Sequence, residues 1–177
     1  MVAERAIGIG ELLPATVSRV EATAMEEVLS FGVDTVEWLF DYIQGKNYYK
    51  EKIEMTGPVI TEVSPSDGPL CESSFVVSFF VPKKNQANPA PAKGLHIQKW
   101  KPTYVAIRQF SGFVNDYEIG VEAAALEASI AGTIWSAAID KNRGTESSSV
   151  YTVAQYNSPF EFKNRVNEIW MLFDLEK

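Results

Sequence analysis

The sequence predicts an α+β fold built from two strand–helix–strand–strand repeats. Three observations carry that reading. Apolar residues alternate in several short runs, they recur at three and four in two longer ones, and the whole order of elements occurs twice. The first strands begin at 11 and 103, the helices at 28 and 116, and the last strands at 74 and 168, giving offsets of 92, 88 and 94. Residue identity between the halves is negligible, so what repeats is element order. Two such halves, about 11–82 and 103–177, can pack their sheets into a twisted, barrel-like surface with the two helices outside. At 177 residues the chain reads as a single domain, 1–177, long enough to bury a core without disulfides.

Each element has its own warrant. In 11–21, Leu13, Ala15, Val17 and Val20 alternate roughly, so a strand is expected, with Pro14 at an edge or bulge. Across 28–43, Val33, Val36, Leu39, Phe40 and Ile43 follow helical spacing, and Gly45 is a reasonable stop. Gly32 weakens the helix in its first half. A polar, basic stretch follows, then a short strand at Val59–Val63 and the turn cluster SPSDGP. Residues 74–81 are β-branched and aromatic and too short for a helix, so they form a buried strand. KKNQANPAPAKG then connects the halves.

The second half opens with a strand at 103–110 and an Ala-rich helix at 116–131, capped by Asn115 or Asp116. TIWSAAID either extends that helix or forms a separate element. A loop, KNRGTESSS, leads to strands at 150–156 and 168–175.

Composition excludes several functions. The net charge of −7 opposes a general nucleic-acid binder, which needs a basic face to displace counterions. The lone Cys71 forms no internal disulfide, and with the lone His96 it cannot build a structural zinc site. No run reaches the roughly 20 apolar residues of a membrane span, and Glu4 and Glu11 interrupt the start where a signal peptide needs an apolar run. These features favour a reduced, cytoplasmic setting.

Motifs for chemistry are sparse. GIGELL has two glycines of a dinucleotide fingerprint, lacks the third, and does not join a strand to a helix. A P-loop and a nucleophile elbow are both missing from the sequence. His96, in LHIQKW, reads as a surface or edge residue. Asp116, Glu118 and Glu122 share helical spacing and read as a solvated face. No catalytic residue and no metal ligand is assigned. The aromatic share of 12% is more informative. Most rings will be core. Phe160 and Phe162, however, alternate with Glu161, Lys163 and Arg165 in a loop, which suggests a contact surface.

Several segments, in this order, resemble the SOUL/heme-binding protein family. They are YIQGKN at 42–47, KIEMTGPV at 52–59, FVVSFFVP at 75–82, YVAIRQFSGF at 104–113 and AQYNSPFEFKNRVNEIWM at 154–171. The resemblance implies a distorted antiparallel β-barrel flanked by two helices, and reversible binding or carriage of heme, protoporphyrin or another tetrapyrrole. It places the ligand against Val33, Val36 and Phe40 of the first helix and against Phe160, Glu161, Phe162 and Lys163 of the late loop, to which the chain's own charges add Arg165. Spacing alone puts Val33, Val36 and Phe40 on one helical stripe, which would equally pack on a sheet. Some members have a basic residue where this chain has Val33 and another where it has Glu161, and one branch has a candidate axial His at the position of Pro14. The expected mode is therefore apolar stacking without a strong axial ligand, with Lys163, Arg165 or Lys46 on the carboxylates. Two rival readings stand beside it. One is a diverged enzyme acting on a small apolar molecule, for which Glu37, Asp41 and Glu161 are the carboxylates to inspect. The other is a protein-interaction module using loop 156–166.

Overall fold

A computed structural model describes residues 7–12, 15–23, 28–64, 73–100, 103–143, 151–158 and 160–174. In chain order the elements are β1 (Ile7–Leu12), β2 (Ala15–Thr23), α1 (Val28–Ile43), β3 (Val59–Val63), β4 (Ser73–Phe80), β5 (His96–Lys99), β6 (Thr103–Phe110), α2 (Asp116–Ile130), α3 (Ile134–Arg143), β7 (Tyr151–Gln155) and β8 (Asn167–Phe173). A short 3-10 turn covers Lys83–Asn85. The chain divides into two compact units. One is Pro14–Trp100; the other combines Met1–Leu13 with Lys101–Lys177.

In the Pro14–Trp100 unit the antiparallel strand order is β3-β4-β2-β5. Ser78 of β4 faces Ile60 on one side and Ser18 on the other, and Ser18 in turn faces His96 of β5. Alternation along β4 sends Val77 and Phe79 to the face on which α1 packs. There they meet Leu39, Tyr42 and Ile43, with Ile53, Val81 and Ala90 completing the cluster.

Tyr42 is a buried phenol in this core. Its hydroxyl donates to the carbonyl of Ala90 at 2.9 Å. Burial, and then the nearby charge of Glu51, push its pKa from 10.0 up to about 12. The neutral phenol is thus favoured by the folded state, so its stabilisation is intact below pH 10 and is lost as pH rises toward 12. An alkaline titration followed by phenolate absorbance should show Tyr42 ionising with or after unfolding. A Tyr42→Phe variant should resist that loss more than the parent.

In the other unit the order is β1-β6-β8-β7. Ile9 pairs with Ala106, Ile107 with Trp170, and Trp170 with Thr152. On β8, Ile169, Met171 and Phe173 face the helices and pack with Ala123, Leu126 and Ile130 of α2 and Ile139 of α3. The spacing 123, 126, 130 is one helical stripe. Between these apolar layers Arg108 of β6 donates from Nε to Glu122 of α2 at 2.6 Å, both side chains being buried.

Several expectations change. The expected barrel is not formed. Among the described residues the terminal strands β1 and β5 each pair on one side only, with β6 and β2, and neither unit's sheet closes on itself. Closure needs every strand paired on both sides, and β5 contributes only four residues. The strand expected at 11–21 is two strands, β1 and β2, belonging to different units; Pro14, which lacks the N–H a continuous ladder needs, falls outside the described residues. The flanking helices number three among the described residues. TIWSAAID forms α3, separated from α2 at Gly132, whose φ of +75° breaks the helix. Thr133 then caps α3, accepting from the N–H of Ser136 at 3.3 Å. Asn115 is the cap of α2, accepting from the N–H of Glu118 at 2.9 Å. Glu122, expected on a solvated face, is instead buried against Arg108.

Candidate functional site

The late loop between β7 and β8 is polar in its backbone bonding and apolar in what it presents. Asn157 Oδ1 accepts from the N–H of Val166 at 2.6 Å, while its Nδ2 donates to Glu161 Oε2 at 2.8 Å. The N–H groups of Phe160 and Glu161 both turn back on Ser158. Asn164 takes a φ of +54°, a conformation asparagine tolerates better than most residues.

Arg165 closes the loop from beneath. It is only 6% exposed, and its Nη1 donates to the carbonyls of Ser158 at 2.9 Å and Glu161 at 2.8 Å. Its guanidinium lies 4.8 Å from the ring centroid of Phe113. Two residues on, buried Asn167 donates to the carbonyl of Gly112 at 2.9 Å, anchoring the loop to the turn after β6.

On this frame Phe160 and Phe162 are 83% and 73% exposed. Phe162 lies 5.9 Å from Phe113, tilted at 55°, and Phe113 is itself half exposed. Lys163 is exposed beside them. The result is an aromatic platform with a cation at its rim and a second cation buried under it. Phe113 is not among the site residues expected from the sequence; its signals there are its place after the Ser-Gly turn and at the end of the family-like segment 104–113.

Below the loop, Glu168 accepts from the hydroxyl of Tyr156 and from the indole of Trp170, each at 2.8 Å. The Tyr156 phenol is held neutral, chiefly by burial and then by its bond to Glu168.

The Pro14–Trp100 unit carries the helix residues. Val36 and Phe40 are exposed, whereas the buried stripe of α1 is Leu39, Tyr42 and Ile43. The 36/40 stripe is therefore not the one that packs on the sheet. Val33 lies in α1, and its side chain falls outside the described ones. Trp38 sits over Gly94: a Cβ there would come within 3.1 Å of the indole, at a φ of +76°. Of the three carboxylates to inspect, Asp41 is ion-paired with Lys46 at 2.6 Å, Glu161 is bonded to Asn157, and Glu37 is exposed.

Among the described residues no group of three His, Cys, Asp or Glu is placed to hold a metal ion. His96 is exposed on β5, and Cys71 lies outside the described residues. No described helix is long and apolar enough to cross a membrane. A cleft of about 280 Å³ opens between α2 and α3, lined by Ile130, Ile139, Met171 and the ion pair of Arg143 with Glu127. That volume is at the floor of the about 300–1,000 Å³ typical of small-molecule pockets, too small to enclose a macrocycle.

Comparison with known proteins fits the order of motifs. The SOUL heme-binding protein profile matches residues 13–172. Heme-binding protein 2 of Homo sapiens is 31% identical over 156 residues, covering 81% of this chain and 72% of that protein. Heme-binding protein 2 of Mus musculus is 31% identical over 134 residues, covering 74% of this chain and 60% of its own length. Among solved structures, the C-terminal domain of EcmrR superposes with a TM-score of 0.59 at 8% identity, covering 97% of this chain and 99% of that one, a likeness of fold alone. With the profile spanning nearly the whole sequence and the human relative matched across most of its length, the chain belongs to the SOUL heme-binding protein family.

Proposed function

We propose that this chain reversibly binds a tetrapyrrole, heme or protoporphyrin, as a cytoplasmic carrier without a strong axial ligand. One observation carries the reading: the exposed rings of Phe160 and Phe162 stand on one loop whose backbone is held by Arg165, and the half-exposed Phe113 of the turn after β6 lies 5.9 Å from Phe162. A porphyrin is a flat apolar disc with carboxylates at one edge. Flat rings offer stacking, and Lys163 offers a charge-assisted bond to a propionate. Family membership and the names of the curated relatives support the same ligand class. In the Pro14–Trp100 unit, taken by itself, the exposed Val36 and Phe40 on α1 offer another apolar surface of the kind a porphyrin face stacks on.

The donor set argues for the ring rather than the iron. The sequence has one histidine, His96, exposed on the four-residue strand β5, and the described part of the aromatic loop offers carboxylates, amides, a lysine and an arginine but no imidazole or thiolate. Binding should then depend little on iron. Titration with hemin and with metal-free protoporphyrin, followed by the Soret band and tryptophan fluorescence, should give saturable curves of similar affinity. Phe160→Ala and Phe162→Ala should each weaken binding roughly five- to tenfold, the equivalent of about 1–1.5 kcal/mol for one aromatic contact. No saturable response to either compound would overturn the proposal. Loss of a protein partner on Phe160→Ala, with no porphyrin response, would establish the loop as an interaction surface instead.

A further inference from the structure

The Pro14–Trp100 unit has another exposed surface, of which the tetrapyrrole reading uses only Lys46. It is made by the segments 44–58, between α1 and β3, and 81–95, between β4 and β5. Asn47 is the hub of the first. Its buried amide donates to the carbonyls of Tyr42 at 2.9 Å and Glu51 at 2.7 Å. Its Oδ1 accepts from the N–H groups of Tyr49 and Glu51, both at 3.1 Å. All the donors and acceptors of one amide are thus spent on holding one short turn, in which Lys50 takes a φ of +52°.

The two segments are bonded to each other. The N–H of Tyr48 donates to the carbonyl of Pro91 at 2.9 Å. Asn85 Nδ2 donates to Glu51 Oε1 at 2.8 Å, and Asn88 Nδ2 donates to the Tyr49 hydroxyl at 3.3 Å. What this frame presents is unusual for an acidic chain. Tyr48, Tyr49 and Met55 are exposed. The same two segments carry Lys46, Lys50, Lys52, Lys83, Lys84 and Lys93, all exposed. They hold two acids: Glu51, bonded to Asn85, and Glu54, 3.9 Å from Lys84. Lys46 is also ion-paired with Asp41 at the end of α1, at 2.6 Å. Six lysines against these three acids leave the surface at +3, in a chain whose total is −7.

We propose that this face docks on an anionic lipid surface. Local charge of one sign, against the sign of the whole, orients the molecule toward a negatively charged plane. Tyrosine rings settle at the headgroup level, with an apolar body and a wet hydroxyl. Long lysine stems cover apolar surface while their ammonium groups reach phosphate. Met55 adds a flexible apolar side chain suited to acyl chains; it adds nothing to base stacking, which favours lipid over nucleic acid. Attachment is peripheral, by the rigid loops alone.

The test is co-sedimentation of the full chain with vesicles of phosphatidylcholine, and of phosphatidylcholine mixed with phosphatidylserine. The expected result is pelleting with the mixed vesicles only, weakened by salt. Each lysine near an anionic surface contributes about fivefold in affinity, so Lys50→Gln with Lys52→Gln should cost about 25-fold. Tyr48→Ser should weaken binding at low and high salt alike, because its contact is not screened. These positions are exposed, so the variants should keep the parent's thermal transition, and they should leave the porphyrin titration unchanged. A chain that binds porphyrin and ignores mixed vesicles overturns this proposal and spares the tetrapyrrole reading. Equal pelleting with phosphatidylcholine alone overturns it too. So does salt-sensitive binding to a single-stranded oligonucleotide in the absence of vesicle binding.

Discussion

Glu122→Ala is expected to destabilise the protein by about 3–5 kcal/mol, the loss seen when one partner of a buried ion pair is removed. Arg108 and Glu122 meet at 2.6 Å between β6 and α2, with side chains 10% and 6% exposed. Removing the carboxylate leaves a guanidinium, a group that does not deprotonate, among apolar neighbours such as Ala106, Phe110 and Ala123. Replacing the pair together is a different experiment. Arg108→Met with Glu122→Leu removes both desolvation costs and should come out near neutral. Urea denaturation of the parent, Arg108→Met, Glu122→Leu and the double variant measures this as a cycle. The largest loss should fall on the single variants, with a coupling of several kcal/mol. Additive losses would mean that the pair is not a coupled unit, and that Glu122 acts through its other contacts.

That pair also marks a limit of sequence reading. Glu122 shares helical spacing with Asp116 and Glu118, and spacing alone cannot say which carboxylate turns inward. The answer lies on a strand fourteen residues earlier, at Arg108. Helix α1, by contrast, has the bounds its periodicity predicts, Val28–Ile43. Yet it carries apolar residues on more than one face, so its pattern did not separate the buried Leu39, Tyr42 and Ile43 from the exposed Val36 and Phe40. β5 left no signal because HIQK is four residues long and mostly exposed, without the alternation that burial imposes. The aromatic loop was legible, since Phe160 and Phe162 interleave with charges. The ring beneath it was not: Phe113 reaches Phe162 only through the fold, and the bond from Asn167 to Gly112 spans 55 residues.

Arg165 joins the loop's stability to the ligand surface proposed for it, and its removal should be felt in both. Arg165→Ala takes away two bonds to backbone carbonyls and the contact with Phe113, and is expected to cost about 2–4 kcal/mol. Lysine cannot rescue it, because a single ammonium cannot reproduce a planar fork that bonds two carbonyls while lying over a ring. The sequence offers Arg165 as a cation for the ligand's carboxylates, beside Lys163 and Lys46. Its 6% exposure and its bonds to Ser158 and Glu161 make it a positioning residue for Phe160 and Phe162. The two roles separate experimentally. As a positioning residue, Arg165→Ala should lower the urea midpoint, speed chymotryptic cleavage after Phe160 and Phe162, and weaken hemin and protoporphyrin alike. Lys163→Ala, at an exposed rim, should leave stability and cleavage unchanged and weaken only ligands that keep their propionates, so a porphyrin dimethyl ester should bind both proteins equally. If Arg165→Ala instead keeps the parent's midpoint and cleavage rate while losing affinity only for the free acids, its guanidinium reaches the ligand directly, and the loop is held by Asn157 and Asn167 without it.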